Sequence, residues 1–134
     1  MNEFELYCQN KSDEDTALLA PIRDLIRATI PNTTESRVHF YLVYHYGPIP
    51  VVKLHLGTKG IRNLTFINGS ELDDPDTLLK GKSLARMVKI GSNKYFEKNK
   101  DGIAALLKQS ETLAKDRWDG KSQMTVLRPD QKSP

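Results

Sequence analysis

Strand-forming segments follow one another from Val38 to Ile67 with turns of only a few residues between them, and that spacing decides what kind of sheet the chain can make. Val38 to Tyr46 is crowded with aromatic and β-branched residues, which suit a pleated surface. Gly47, Pro48 and Pro50 punctuate a turn. Val51 to Leu56 then alternates, with Val52, Leu54 and Leu56 on one side and Val51, Lys53 and His55 on the other. Gly57 to Gly60 supplies the next turn, Ile61 to Ile67 a third strand, and Asn68-Gly69 the turn after it. Arg86 to Ile90 reads as a fourth strand. A parallel crossover needs a dozen or more residues, so neighbours joined by shorter turns pair antiparallel.

Amphipathic helices flank this run. Leu18, Leu19, Ile22, Leu25, Ile26, Thr29 and Ile30 recur at helical spacing, with Arg23, Asp24 and Arg27 on the opposite side. Asp13, Glu14 and Asp15 stand at or before the start of this helix, where its dipole favours negative charge. Pro21 sits comfortably if the regular part begins near Ala20, and Pro31 ends it. A second helix is predicted from about Asn99 to Arg117. Its inner stripe is Ile103, Leu106, Leu107, Ser110, Leu113 and Ala114, with Lys100, Lys108, Glu111 and Lys115 outside. Between Ser70 and Gly81 a short helical turn capped by an Asp is expected.

Helix, strands, helix is the order of an α+β fold: a two-layer sandwich whose mostly antiparallel sheet carries both helices on one face. The other face, with its His, Tyr, Lys and Thr residues, is expected to stay partly wet. With 134 residues there is room for one domain. We place it at residues 13–117, after a flexible lead at 1–12 and before a mobile tail at 118–134.

Composition narrows the function classes. One cysteine, Cys8, makes neither an intrachain disulfide nor a thiolate zinc site, which fits a reducing compartment. The first ten residues lack a cationic start followed by an apolar stretch, and no apolar run approaches the roughly 20 residues that span a bilayer. A cytoplasmic protein without membrane contact is therefore expected. Enzyme chemistry finds little to stand on: Cys8 has no local activator, no G-x-S-x-G elbow occurs, and Gly57-Thr58-Lys59-Gly60 lacks the frame of a phosphate loop.

In the middle of the chain, Thr65-Phe66-Ile67-Asn68-Gly69-Ser70-Glu71-Leu72-Asp73-Asp74-Pro75-Asp76-Thr77-Leu78-Leu79-Lys80-Gly81-Lys82 resembles the signature of the YdhG-like family, a bacterial domain of unknown function. There a strand ends in a small turn and an acidic-Leu segment, then a Leu-Leu-x-Gly unit and an Arg-led strand, here Arg86-Met87-Val88-Lys89-Ile90. The likeness runs from about Ala17 to Lys115. Tyr44-His45-Tyr46-Gly47-Pro48-Ile49-Pro50 matches the family's Gly-x-Pro-aromatic stretch only loosely. The resemblance implies a compact sandwich with a shape similar to frataxin, and weak, transient iron binding for delivery.

Iron favours carboxylate and imidazole ligands. The candidate clusters are Asp13, Glu14 and Asp15, and Glu71, Asp73, Asp74 and Asp76, which serve equally as helix caps. His39 and His45 lie about 20 Å apart along one extended strand and cannot chelate one ion; His55 approaches either only through hairpin register.

Charge is unevenly spread. Residues 1–36 carry a net of −4, residues 37–81 a net of +1 and residues 82–134 a net of +6. Lys82, Arg86, Lys89, Lys94, Lys98 and Lys100, with Tyr95 and Phe96 among them, make phosphate contact conceivable, although no nucleic-acid motif accompanies them. Phe40, Tyr41, Tyr44 and Tyr46 offer an aromatic ligand groove or dimer surface on the open sheet face. The sequence thus assigns binding to Tyr44, His45, Tyr46, Arg86 and Lys89. Its first functional expectation is a non-enzymatic iron-delivery domain. The alternative is a module that binds a protein or nucleic acid through the sheet face and the basic C-terminal third.

Overall fold

The computed structural model describes residues 1–118. Three α-helices, two short 3-10 turns (Thr58–Gly60 and Gly69–Glu71) and five strands are present among them: α1 (Glu3–Cys8), α2 (Asp13–Thr29), β1 (Thr34–Val38), β2 (Tyr41–Tyr46), β3 (Ile49–Leu56), β4 (Arg62–Phe66), β5 (Arg86–Ile90) and α3 (Asn93–Arg117). The strands form one sheet in sequence order, every neighbouring pair antiparallel. The expected α+β class is what the chain adopts.

Register explains the layering. Leu42, Leu54, Leu64 and Val88 lie side by side in one row, all fully buried, on the face that meets the helices. Ile22 and Ile26 of α2 and Ile103 and Leu107 of α3 join them in a single core. The adjacent row, Val43, Lys53, Thr65 and Met87, turns to the opposite face. That face is drier than expected at one end, because Val43 is fully buried and His45 is 7% exposed.

The lead at residues 1–12 is a correction to the expectation of a flexible segment. Asn2 and Glu5 form a reciprocal capping box that starts α1, and Phe4, Tyr7 and Cys8 are buried. Arg23 of α2 lies 4.6 Å over the Phe4 ring, and Glu3 accepts the backbone N–H of Arg37 at 3.1 Å. Short helices gain stability from tertiary packing rather than propensity, so six residues sufficed once two aromatic rings found the core.

The single strand expected from Val38 is a hairpin. Its two-residue loop, His39-Phe40, contains none of the usual turn residues, and His39 takes φ 54°, a position that normally favours Gly. Pro50 belongs to a strand rather than a turn: it sits opposite His45 beside a bulge, where no ladder hydrogen bond is demanded of it. Helix α2 begins at Asp13, capped by Ser12, and carries Pro21 inside it. The carbonyl left without its helical partner there is that of Ala17, an exposed residue. Helix α3 starts six residues earlier than expected, because Ser92 caps it by accepting the N–H of Tyr95 at 3.0 Å. Glu111, expected outside, is 7% exposed and reaches Lys108 at 3.5 Å. The tail expected to be mobile lies, from residue 119 on, outside the described residues.

Candidate functional site

The β1–β2 hairpin and α1 together shape a cleft of about 280 Å3. Leu6, Tyr7, Asn10 and Lys11 form one wall, Arg37, His39 and Phe40 a second, and His55 and Leu56 the floor. The walls are tied together by the Tyr7 hydroxyl, which donates to the Phe40 carbonyl at 2.6 Å. That bond holds the hairpin loop against α1 and fixes His39 in its positive-φ conformation. Backbone held in such a sparsely populated region is found disproportionately at binding sites. Phe40 itself is 75% exposed, a large apolar ring at the cleft mouth.

Electrostatics give the cleft a sign. Two permanent cations, Lys11 and Arg37, and two imidazoles, His39 and His55, line it, and no acidic side chain does. Lys11 lies 4.3 Å over the Tyr7 ring, so its ammonium is placed rather than free to wander. Burial and then the charge of Lys11 hold the His55 imidazole below its ordinary value of 6.5. His55 packs against Tyr41 with ring centroids 5.3 Å apart, which orients it. A negative group entering here would meet convergent positive charge in a partly desolvated setting, where Coulomb attraction exceeds its value in water.

The residues singled out from the sequence lie elsewhere or do other work. Tyr44 points into the core, fully buried, and its hydroxyl donates to Glu35 Oε2 at 2.6 Å. It lines no groove on the far face, and burial together with the Glu35 carboxylate pushes its phenol far up. Glu35 also accepts two hydrogen bonds from Arg23, at 2.8 and 3.0 Å, and faces Arg27 at 3.6 Å. The cluster locks α2 to β1 and β2. His45 is buried on the opposite face, and Tyr46 packs edge-on against Trp118 at 5.9 Å. Arg86 folds back on its own loop, donating from Nε to the Ser83 carbonyl at 2.7 Å, and Lys89 is exposed on β5. These five side chains do not share a surface. The register explains why: Tyr44 and His45 are adjacent on one strand and point to opposite faces.

The carboxylates divide similarly. Asp13, Glu14 and Asp15 occupy the first turn of α2, in their expected role toward its dipole. Asp74 accepts from the N–H groups of Leu78 and Leu79 at 3.0 and 2.9 Å. Asp73 is pinned through its backbone to the Gln109 side chain of α3. Glu71 makes a two-fold ion pair with Arg117, which holds its carboxyl below the usual range. Asp76 borders Gly102 of α3. Among the described residues no three His, Cys, Asp or Glu side chains gather where a metal ion could be held. Cys8 is buried, and burial pushes its thiol up, away from a reactive thiolate.

Sequence reading named His39 and His55 only as metal candidates and missed the cleft. The one available signal was the sequence Arg37-Val38-His39-Phe40, which places two cationic or titratable groups and a ring within four residues. The sandwich defines an α+β protein, and no helix among the described residues is long and apolar enough to cross a membrane. Neither a family model, nor a curated protein, nor a solved structure matches the chain.

Proposed function

We propose that this chain is a non-enzymatic binding module whose ligand is a small organic anion, a carboxylate attached to an apolar body. The observation that carries the reading is the convergence of Lys11, Arg37, His39 and His55 in one acid-free cleft beside the exposed Phe40 ring. The charged end would face Lys11 and Arg37, and the apolar body would cover Phe40 and Leu6. Titration with benzoate, followed by amide NMR, is expected to shift Lys11, residues 37–40 and His55. Since an anion favours protonated imidazole, affinity is expected to rise in the range below 6.5, where His55, held under its ordinary value, takes up its proton. Lys11→Glu reverses one charge without touching the core and should abolish the shifts. Unmoved amides in this cleft, or equal binding by the Lys11 variant, would remove the reading.

The iron-delivery role that the YdhG resemblance implies rests on separate residues, Asp13, Glu14 and Asp15 first. It has its own test in a ferrous titration of the same amides.

A further inference from the structure

Lys53 lies on the face of the sheet that turns away from the helices, in the row Val43, Lys53, Thr65 and Met87. Alternation along the strands puts Lys53, His55 and Lys89 on that face, and no Asp or Glu of the described strands. Lys53 is half-buried, and among the described residues no carboxylate pairs with it. Its ammonium stands 4.4 Å over the Tyr41 ring, and burial holds it below its ordinary value of 10.5. Lysines taken out of water are ordinarily paired, because a desolvated charge without a partner is costly. This ammonium has already lost part of its hydration, so an anion that reaches it gains attraction in a partly desolvated setting and displaces less water. Thr65 stands directly across from Lys53, and its hydroxyl is a donor in the same row.

Two rings join Lys53 to the α1 cleft. His55 lines the cleft and lies within the field of Lys11 there. The same imidazole packs against Tyr41 at 5.3 Å, and Tyr41 carries Lys53 on its face. Positive charge therefore continues from Lys11 and Arg37 in the cleft, past His55, to Lys53 on the open face. A ligand one or two aromatic rings long bridges these points.

We infer that Lys53 and Thr65 form a second anion subsite beside the cleft, so that the ligand is a dicarboxylate on a flat apolar body. One carboxylate meets Lys11 and Arg37, the body runs from beside Phe40 past His55 and Tyr41, and the other carboxylate meets Lys53. The inference rests on the reading of the cleft as a carboxylate site and adds a second charge to it. A single carboxylate in the cleft leaves Lys53 without a partner, and a second one supplies it. A flat body fits because imidazole and phenol line the path, and rings pack favourably on rings.

The experiment is an amide NMR titration of the full chain with terephthalate and with para-linked biphenyl dicarboxylate, each against its own monomethyl ester, at neutral pH and matched ionic strength. The esters keep the body and one charge, so the comparison isolates the second carboxylate. At least one diacid is expected to bind about tenfold tighter than its ester, the scale of one charge-assisted hydrogen bond. It is expected to shift Tyr41, Lys53 and Thr65 in addition to the cleft amides. Lys53→Met keeps the apolar stem and removes the charge, and should bring diacid and ester to equal affinity. Lys53→Arg keeps the charge and should retain the preference. Thermal unfolding checks that both variants are folded, and the ratio in the parent with its shifts at Lys53 and Thr65 decides the matter without either. If benzoate moves no cleft amide, the reading of the cleft fails and this inference with it. If benzoate binds but neither diacid binds tighter than its ester, or folded Lys53→Met keeps the preference, the cleft reading stands and the second subsite is overturned.

Discussion

Glu35 shows how one residue can carry more than its type suggests. Burial alone pushes its carboxyl up, but the hydrogen bonds of Arg23 and Tyr44 and the charges of Arg23 and Arg27 outweigh it and hold it below its ordinary 4.5. Its contribution to stability is therefore complete above that value and is lost as pH falls through the lower folded value. Glu35→Gln is expected to cost about 2–4 kcal/mol near neutrality, because it leaves Arg23 half-buried without its counter-charge. In acid unfolding the gap between parent and variant should close as the parent's carboxyl takes up its proton. A gap that stays constant into acid would mean the ion pairs contribute nothing. At Gly47 the constraint is steric. It takes φ +58°, and a Cβ there would collide with the Trp118 ring. Gly47→Ala should destabilise by about 1–3 kcal/mol, through the strained φ and overpacking, measured by denaturant titration.

Helices α2 and α3 show how an apolar stripe becomes a packed face. Leu106 and Leu25 stand mid-stripe in their helices, and the stripes alone make them equivalent. The structure separates them: Leu106 is 2% exposed, whereas Leu25 is only half-buried against the core. Leu106→Ala is expected to cost about 2–5 kcal/mol, as a buried leucine leaving a cavity. Leu25→Ala should cost less by at least about 1 kcal/mol, since its site is already partly open. Equal losses in chemical denaturation would contradict the packing of α2. The first turn of α3 illustrates a cap overriding a weak pattern. Asn93 to Lys98 carries little apolar periodicity, yet Ser92 and the buried Phe96 suffice to start the helix there.

Across the described part of the molecule, the basic side chains from Lys82 to Arg117 are dispersed rather than assembled. Lys89 lies on β5, Lys94 and Lys98 on the first turns of α3, Lys108 beside Glu111, and Arg117 on Glu71. Among the described residues no aromatic platform runs between them: Tyr95 is half-buried and Phe96 lies in the core. Generic DNA and RNA are therefore expected to bind weakly at low salt and to dissociate as salt rises, read by fluorescence anisotropy at two salt concentrations. Tight binding that survives salt would restore the nucleic-acid alternative. The acidic residues from Glu71 to Asp76 are likewise drawn into structure, bridging the β4–β5 connection to α3 through Arg117, Gln109 and Gly102.

The fold class was legible because it depends on order and spacing alone. Short turns force antiparallel neighbours, and two helical stripes need one sheet face to cover them. β5 was legible to the residue, Arg86 to Ile90, as the Arg-led strand that the sequence predicts. The hairpin at His39-Phe40 was hidden because its loop uses a positive-φ histidine, a conformation that tertiary contact with Tyr7 sustains. Helix α1 was hidden for a related reason: six residues declare no period, and only the core decides that Phe4 and Tyr7 are buried. The cleft draws on residues far apart in the chain, Lys11 with His55. Sequence by itself set the layers and the alternation of each strand. Register and packing, which sum contacts between distant parts of the chain, decided which charges converge on the cleft and which are drawn into ion pairs such as Glu35 with Arg23.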